Sequence, residues 1–259
     1  MKALKKFSKK QKSAIRLLLQ IPQQYCTPDT FHTLRLAIKK LHAVFDLTHF
    51  CAQKFKQKKT FRPYTLIFRQ AGKIRELQVE AALLEKHFFF NLPKEYSADL
   101  KKTLTTELEK FHFVTKCKLN PALEKNYQKI IPLLTKISKK KAQRYMDKKR
   151  VEIEKLLRQK TLKSKQIHQL RKQLKEFQYN ESCLNYDQQS ELISNKNVLP
   201  ELLGEWHDYQ VTVTHLKKAI NSGATTTNEN NQLENIKTLF MLKRQLLHKK
   251  IKATLANPL

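Results

Sequence analysis

Histidines and cations follow one another at helical spacing around residue 35. His32 is followed by Arg35, Lys39 and His42 at steps of three, four and three residues. At roughly 100° of rotation per residue, these side chains share one face of a helix. Such a face can bind an anion, because Arg offers a bidentate fork, Lys a point charge and protonated His a further donor.

The opposite face of the same segment is apolar. Its apolar residues are Leu34, Ile38, Leu41 and Phe45. Thr27 is a suitable N-cap, and Pro28 suits the first helical turn. The pattern therefore predicts a helix over residues 28–51 that packs through one side and presents histidines and cations on the other.

The same two-faced pattern returns later in the chain. FHTLRLAIKKLHAV at 31–44 aligns with IHQLRKQLKEFQYN at 167–180, at an offset of 136. In the second segment, His168, Arg171 and Lys175 occupy the positions of the first histidine, arginine and lysine. We therefore expect a second helix with a basic face.

A shorter motif also occurs twice. GKIRELQV at 72–79 is matched by GEWHDYQV at 204–211, at an offset of 132. Each copy has a glycine, then a basic residue or histidine beside an acid, then Gln-Val. These central pairs are Arg75 with Glu76 and His207 with Asp208. Two motifs repeated in the same order predict an internal duplication.

The composition predicts an all-α protein. Only 3 of 259 residues are glycine, and helical periodicity recurs almost everywhere. The duplication predicts two helical bundles of about four or more helices each, in a single domain with halves of about 1–136 and 137–259. The expected helices span about 6–20, 28–51, 61–71, 74–90, 96–116, 121–160 (interrupted near Pro132), 164–183, 186–194, 199–221 and 230–255. The segment NSGATTTNENN at 221–231 is the clearest predicted loop.

The charge balance indicates a polyanionic partner. The chain has 52 Lys and Arg against 22 Asp and Glu, a formal net charge of +30. Such a charge opposes compaction unless a polyanion offsets it, and nucleic acid, an anionic membrane surface and polyphosphate all qualify. The lysine runs KFKQKK at 54–59 and SKKKAQR at 138–144 are typical of solvated faces.

The chain carries no pattern of a secreted or membrane-spanning protein. Its cysteines form no Cys-x-x-Cys pair, so we expect reduced thiols in a cytoplasmic protein. Those cysteines are Cys26, Cys51, Cys117 and Cys183. No window approaches 18 uncharged apolar residues, so no membrane span is expected.

The sequence offers little support for catalysis. His207–Asp208 resembles the His-Asp dyad of metal phosphohydrolases, but Arg75–Glu76 stands at the matching place, and arginine is not a zinc or magnesium ligand. No P-loop or Gly-x-Ser-x-Gly motif occurs. We expect no metal and no cofactor. The preferred role for Arg75, Glu76, His207 and Asp208 is to orient the helices through hydrogen bonds.

At these motifs the chain resembles the CHAD family, an all-helical domain with a His-x-x-Arg-x-x-x-Lys/Arg helix and a Gly-x-x-Arg-Asp-x-x-Val motif in each half. The resemblance implies a pseudo-two-fold arrangement in which the basic faces meet at a central surface or pore. It also implies binding of inorganic polyphosphate and location at polyphosphate granules. The family often has Arg where this chain has His42 and Gln178. The implied anion-binding residues are His32, Arg35, Lys39, Lys40, His42, His168, Arg171, Lys172 and Lys175.

These observations together predict non-catalytic binding of inorganic polyphosphate. The first alternative is a basic helical protein that binds nucleic acid, and the lower alternative is a metal-dependent phosphohydrolase. Phosphate chains carry about one charge per repeat and no bases, so rows of cations are sufficient to recognise them. The sequence gives no indication of the oligomeric state.

Overall fold

A computed structural model of the chain describes residues 2–88, 90–115, 120–159, 162–184, 198–223 and 225–256. Within these ranges the regular structure is helical and no strand is formed, which confirms the predicted fold class. The α-helices are α1 (Lys2–Leu19), α2 (Pro28–Cys51), α3 (Gln57–Phe88), α4 (Lys94–Val114), α5 (Asn120–Gln128), α6 (Ile131–Leu134), α7 (Lys139–Leu157), α8 (Ser164–Leu184), α9 (Val198–Ser222) and α10 (Thr227–Ala256).

Helix α2 has the predicted bounds, whereas α3 is one helix where two were predicted. The expected break between 61–71 and 74–90 does not exist, and one helix continues through Gly72. Ala71 and Ile74 on either side of this glycine are both buried, so packing stabilises the helix before and after the position. That packing outweighs the weak helix propensity of a single glycine.

The other helices lie close to their predicted positions. The expected segment 121–160, interrupted near Pro132, consists of α5, α6 and α7. The expected helix 186–194 lies outside the described residues. The loop predicted at 221–231 is shorter than expected, because α9 ends at Ser222 and α10 begins at Thr227. Gly223, with a φ of 63°, adopts the left-handed conformation that suits a helix end.

The chain forms two compact units, each built from separate stretches of sequence. The first unit comprises segments within Met1–Lys73, Leu108–Arg158 and Lys172–Gln189, and the second comprises segments within Ile74–Glu107, Gln159–Arg171 and Ser190–Leu259. Neither unit corresponds to one sequence half. The internal duplication, with halves of about 1–136 and 137–259, therefore stays a prediction.

The core of the first unit is built on the apolar face of α2. Helix α2 packs against α1 and α7. Its residues Phe31, Leu34, Leu41 and Phe45 are all fully buried. The ring of Phe45 lies 5.0 Å from that of Phe61 in an edge-to-face arrangement. Complete burial of such side chains contributes roughly 1.5–3 kcal/mol each, so this face fixes the rotation of α2.

The core of the second unit includes the packing of α9 against α10. Tyr209 and Phe240 contact each other with ring centroids 5.4 Å apart, and Trp206 is buried. The start of α4 is held by the buried carboxylate of Glu229 in α10. Its Oε1 accepts a hydrogen bond from the backbone N of Tyr96 at 2.6 Å, and its Oε2 one from the backbone N of Glu95 at 3.1 Å. A carboxylate is well placed there, since the N-terminus of a helix carries unpaired N–H groups and positive potential.

Candidate anion-binding site

Arg35 and Lys39 of α2 approach the same aromatic ring in the first unit. The Arg35 guanidinium carbon lies 4.1 Å from the ring centroid of Phe68, and Lys39 Nζ lies 5.8 Å from it. Arg35 Nη1 also donates a hydrogen bond of 2.9 Å to the carbonyl oxygen of Phe68. Stacking and hydrogen bonding therefore hold the guanidinium in a defined orientation.

Local interactions at the start of α2 set the direction of this face. The backbone N of Thr27 donates to Thr30 Oγ1 at 3.0 Å, and the two threonine hydroxyls lie 3.2 Å apart. This reciprocal arrangement is a capping box, and Pro28 occupies the first turn as expected. The buried stripe then directs the opposite side of α2, with its cations, away from the core.

Gly72 of α3 makes room for Arg35. A Cβ atom at position 72 would lie 2.3 Å from Arg35 Nη1, much closer than a van der Waals contact allows. The first copies of the two repeated motifs are thus in direct contact, a relationship that the sequence analysis missed. The second-copy glycine, Gly204, has no such neighbour within 4 Å.

His42 interacts with neighbouring polar groups of the protein. Its Nδ1 lies 3.0 Å from Asp46 Oδ2, and its Nε2 lies 3.1 Å from Gln57 Nε2. Gln57 Nε2 also donates to Asp46 Oδ1 at 2.9 Å, and the imidazole packs edge-on against Phe61. Since an amide N–H can only donate, a neutral His42 accepts at Nε2 and carries its proton on Nδ1 toward Asp46. Both ring nitrogens therefore already have partners within the protein.

The remaining candidates on α2 keep access to solvent. His32 is exposed, and Lys40 is partly exposed, as are Arg35 and Lys39. The predicted apolar stripe of α2 is buried, whereas the role of the opposite side as a basic, anion-binding face stays a prediction. This face can offer a guanidinium and ammonium groups to an anion in solvent.

In the second unit, His168 of α8 and His207 of α9 meet. Their ring centroids lie 5.2 Å apart with an interplanar angle of 49°. The two repeated motifs thus also come together in their second copies, here through histidines. His168 is exposed and His207 is partly exposed, so both rings remain accessible from solvent.

The other second-copy candidates lie along α8. Arg171 is partly buried and belongs to the second unit, while Lys172 and Lys175 belong to the first. Lys172 is exposed and Lys175 is partly exposed. The central basic surface or pore expected from the family resemblance stays a prediction.

The pairs Arg75–Glu76 and His207–Asp208 stand at their predicted places on α3 and α9. Glu76 is exposed, and the other members are partly buried. The negative charge of Glu76 contributes, after that of Glu80, to a raised pKa of His215. The helix-orienting role of these pairs stays a prediction.

Glu80, one turn beyond Glu76, was missed by the sequence analysis. Only 1% of Glu80 is exposed. Tyr96 donates its hydroxyl proton to Glu80 Oε1 at 2.5 Å, and His215 Nδ1 lies 2.6 Å from Glu80 Oε2. The bond to Glu80 raises the pKa of His215, and burial followed by the charge of Glu80 raises that of Tyr96. The only available signal was an acid on an otherwise apolar stripe of α3.

Three general observations concern the described ranges as a whole. No three His, Cys, Asp or Glu side chains in them are close enough together to hold a metal ion. No helix in these parts of the chain is long and apolar enough to cross a membrane. Cys26, Cys51 and Cys183 are free thiols.

The family assignment follows from comparison with known proteins. The family model of the CHAD domain matches residues 16–217, which is well over half of the chain. The chain therefore belongs to the CHAD domain family, as the four sequence motifs predicted.

A solved structure shares the fold. The crystal structure of the CHAD domain from the plant Ricinus communis matches with a TM-score of 0.75 at 14% sequence identity. The match covers 98% of this chain and 89% of the plant chain. At this identity, the likeness concerns the fold alone. No curated protein matches the sequence.

Proposed function

We propose that this protein binds inorganic polyphosphate without catalysis, through the basic faces of α2 and α8. The proposed residues are His32, Arg35, Lys39, Lys40, His42, His168, Arg171, Lys172 and Lys175. Membership of the CHAD family and the formal charge of +30 support the proposal. The observation that carries it is the convergence of Arg35 and Lys39 on Phe68, because it presents two oriented cations on adjacent turns of a solvent-facing helix side.

The chemistry of the ligand suits this arrangement. Polyphosphate is flexible, carries about one negative charge per phosphate and has no bases to read. A row of Lys and Arg can follow such a chain, with Arg bonding two oxygens and Lys acting as a point charge. His32 and His168 would each contribute a hydrogen bond, which strengthens when the ring is protonated. His42 would contribute mainly by fixing Asp46 and Gln57.

Nucleic acid is the first alternative ligand, and a competition titration separates the two. Labelled polyphosphate bound to the protein is displaced with unlabelled polyphosphate, duplex DNA or single-stranded RNA at equal phosphate concentration and equal salt. We expect polyphosphate to compete best, since duplex DNA has a persistence length of about 150 base pairs and adapts its phosphates to short basic helix faces less readily than a flexible chain does. Equal or better competition by DNA or RNA would contradict the proposal.

The absence of catalysis is part of the proposal and has its own assay. Purified protein is incubated with polyphosphate, with and without magnesium, and released phosphate is measured. We expect no release above the protein-free control. Magnesium-dependent release would instead favour the phosphohydrolase alternative and would direct attention to His207 and Asp208.

The proposed ligand also implies a subcellular location. A protein that binds long polyphosphate in the cytoplasm should collect at polyphosphate granules. A fluorescent fusion should therefore form foci that coincide with stained granules and disperse when cells lack polyphosphate. Uniform fluorescence in granule-containing cells would contradict this part of the proposal.

A further inference from the structure

The first unit contains a basic cavity whose lining includes none of the proposed polyphosphate-binding residues. It has a volume of about 940 Å³ and lies between the end of α2, the start of α3, α6 and the start of α7. Its cationic residues are Lys54, Lys56, Lys59, Lys129, Lys141 and Arg144. The two lysine runs expected to be plain solvated faces, 54–59 and 138–144, thus meet around one cavity.

The described residues that line this cavity include no acid. Six of them are Lys or Arg, and none of these described lining residues is Asp or Glu. Like charges around a shared concavity repel one another, and the low-dielectric walls strengthen the field inside it. An anion that enters would relieve this repulsion.

Helix geometry adds to the positive potential. Helices α3 and α7 begin at Gln57 and Lys139, next to cavity residues, and neither has an acidic residue in its first turn. The N-terminus of a helix carries a partial positive charge and unpaired N–H groups, which favour anions. Lysine in a first turn is therefore unfavourable unless a negative group offsets it. Lys59 in α3 and Lys141 in α7 both occupy such positions and line the cavity.

Ordered aromatic side chains form the base of the cavity, beneath its charged residues. Phe50 and Phe55 line it, and Phe55 is buried against Phe45 with ring centroids 5.8 Å apart. Lys141 Nζ donates a hydrogen bond of 3.3 Å to the carbonyl oxygen of Cys51, which fixes this ammonium at the end of α2. The basic groups therefore surround an ordered apolar base.

We propose that this cavity binds a run of two or three adjacent phosphates, independently of the site on the motif helices. A volume of about 940 Å³ is within the usual range of roughly 300–1,000 Å³ for small-molecule sites. The phosphates would be held by Lys56, Lys59 and Arg144. The same chemistry is available from a short inorganic phosphate chain and from a nucleoside triphosphate, whose base would lie against Phe50.

The test compares two triple variants of the full chain. The cavity variant carries Lys56→Gln, Lys59→Gln and Arg144→Gln. The matched control carries Lys58→Gln, Lys139→Gln and Lys140→Gln, which are exposed residues of the same runs that do not line the cavity. Both variants lose three formal charges at the starts of the same helices. Affinities for tripolyphosphate and for ATP are measured by calorimetry at about 0.15 M salt, where exposed charges beyond about 8 Å are screened.

We expect the wild type and the control to bind tripolyphosphate with the same affinity. The cavity variant should bind at least about tenfold more weakly, because it loses one or more charge-assisted hydrogen bonds. Tighter binding of ATP than of tripolyphosphate would identify a nucleotide as the source of the phosphates. The reverse order would identify an inorganic chain. Equal losses in the two variants, or no tripolyphosphate or ATP binding by the wild type, would overturn the proposal.

A footprint on the wild-type protein gives an answer that does not depend on the folding of a variant. Lysine acetylation is followed by mass spectrometry with and without tripolyphosphate. Lys56 and Lys59 should be protected more than Lys58, their neighbour outside the cavity. Equal protection of the three lysines would contradict a defined site.

Discussion

The guanidinium of Arg35 occupies the space in which a side chain at position 72 would begin. A Cβ at Gly72 would lie 2.3 Å from Arg35 Nη1, while the same guanidinium stacks on Phe68 one turn earlier in α3. The arginine of the first helix motif and the glycine of the second are therefore parts of one arrangement. Gly72 permits the approach, and Phe68 holds the cation in place.

Gly72→Ala tests this arrangement. The added methyl group should displace the end of the Arg35 side chain and break its hydrogen bond to the Phe68 carbonyl. Alanine in a helix interior is favoured over glycine by up to about 1 kcal/mol, and loss of the Arg35 hydrogen bond costs about 0.5–1.5 kcal/mol. Because the two effects oppose each other, the free energy of unfolding should change little. Polyphosphate affinity should fall by several-fold, because the cation loses its orientation. Calorimetry with polyphosphate, together with urea unfolding, measures both effects.

Gly204→Ala is the matched control for that variant. Gly204 also lies within a helix, but an added Cβ meets nothing within 4 Å. The substitution should raise the free energy of unfolding by up to about 1 kcal/mol and leave polyphosphate affinity unchanged. If both alanine variants lowered affinity equally, the contact between Gly72 and Arg35 would not be the cause.

Glu229→Ala should destabilise the second unit. The buried carboxylate accepts hydrogen bonds from two backbone N–H groups at the start of α4. Its removal deprives both donors of this acceptor. We expect a decrease of about 1–2 kcal/mol in the free energy of unfolding, measured by urea titration. Glu109→Ala, at an exposed position of α4, is the control and should change it by less than about 0.5 kcal/mol. Equal effects would show that the cap is unimportant.

The pair of Glu80 and His215 should make stability depend on pH. The bond to Glu80 raises the pKa of His215 above its ordinary value of 6.5, although burial and Lys218 oppose the shift. A group whose folded-state pKa is raised stabilises the fold fully below its unfolded pKa, and this contribution is lost as pH rises through the folded pKa. The free energy of unfolding should therefore fall as pH increases above about 6.5.

His215→Gln identifies the source of that dependence. The variant should lose about 2 kcal/mol at pH 6, where the charge-assisted bond to Glu80 is strongest, and less at pH 9. Urea unfolding at a series of pH values measures the slope for both proteins. If wild type and variant showed the same slope, another group would be responsible.

Local patterns were sufficient to predict α2 and its buried apolar stripe. Thr27, Pro28 and the apolar repeat lie within one continuous segment, so capping and periodicity define the helix without tertiary information. The four motifs were also sufficient for the family. By contrast, the break predicted near Gly72 was wrong, because the reason for that glycine is Arg35, which lies 37 positions earlier in the chain.

Contacts between distant segments could not be read from the sequence. Nothing local marks Phe68 as the partner of Arg35, or indicates that Gln57 approaches His42. The lysine runs at 54–59 and 138–144 each look like ordinary solvated faces, and only the fold brings them around one cavity. For the same reason, the cavity-lining residues Lys54, Lys56 and Lys59 of the first run are not suitable neutral controls in binding experiments.

The central claim is that defined faces of α2 and α8, rather than net charge alone, bind polyphosphate. It is tested most directly by replacing Lys39, Lys40, Lys172 and Lys175 with Gln, and by a control that replaces the exposed residues Lys5, Lys9, Lys125 and Lys136 with Gln. Both variants lose four formal charges within the first unit. Arg35 is retained because its contacts with Phe68 also serve packing.

Polyphosphate affinity of the two variants is measured over a range of salt concentrations, with circular dichroism to verify folding. We expect the motif variant to bind at least about tenfold more weakly than the control. We also expect a shallower dependence of log affinity on log salt, by about 0.7–0.9 per lost phosphate contact if nucleic-acid slopes apply. A folded motif variant that binds polyphosphate as tightly as the control, with the same salt dependence, would contradict the account.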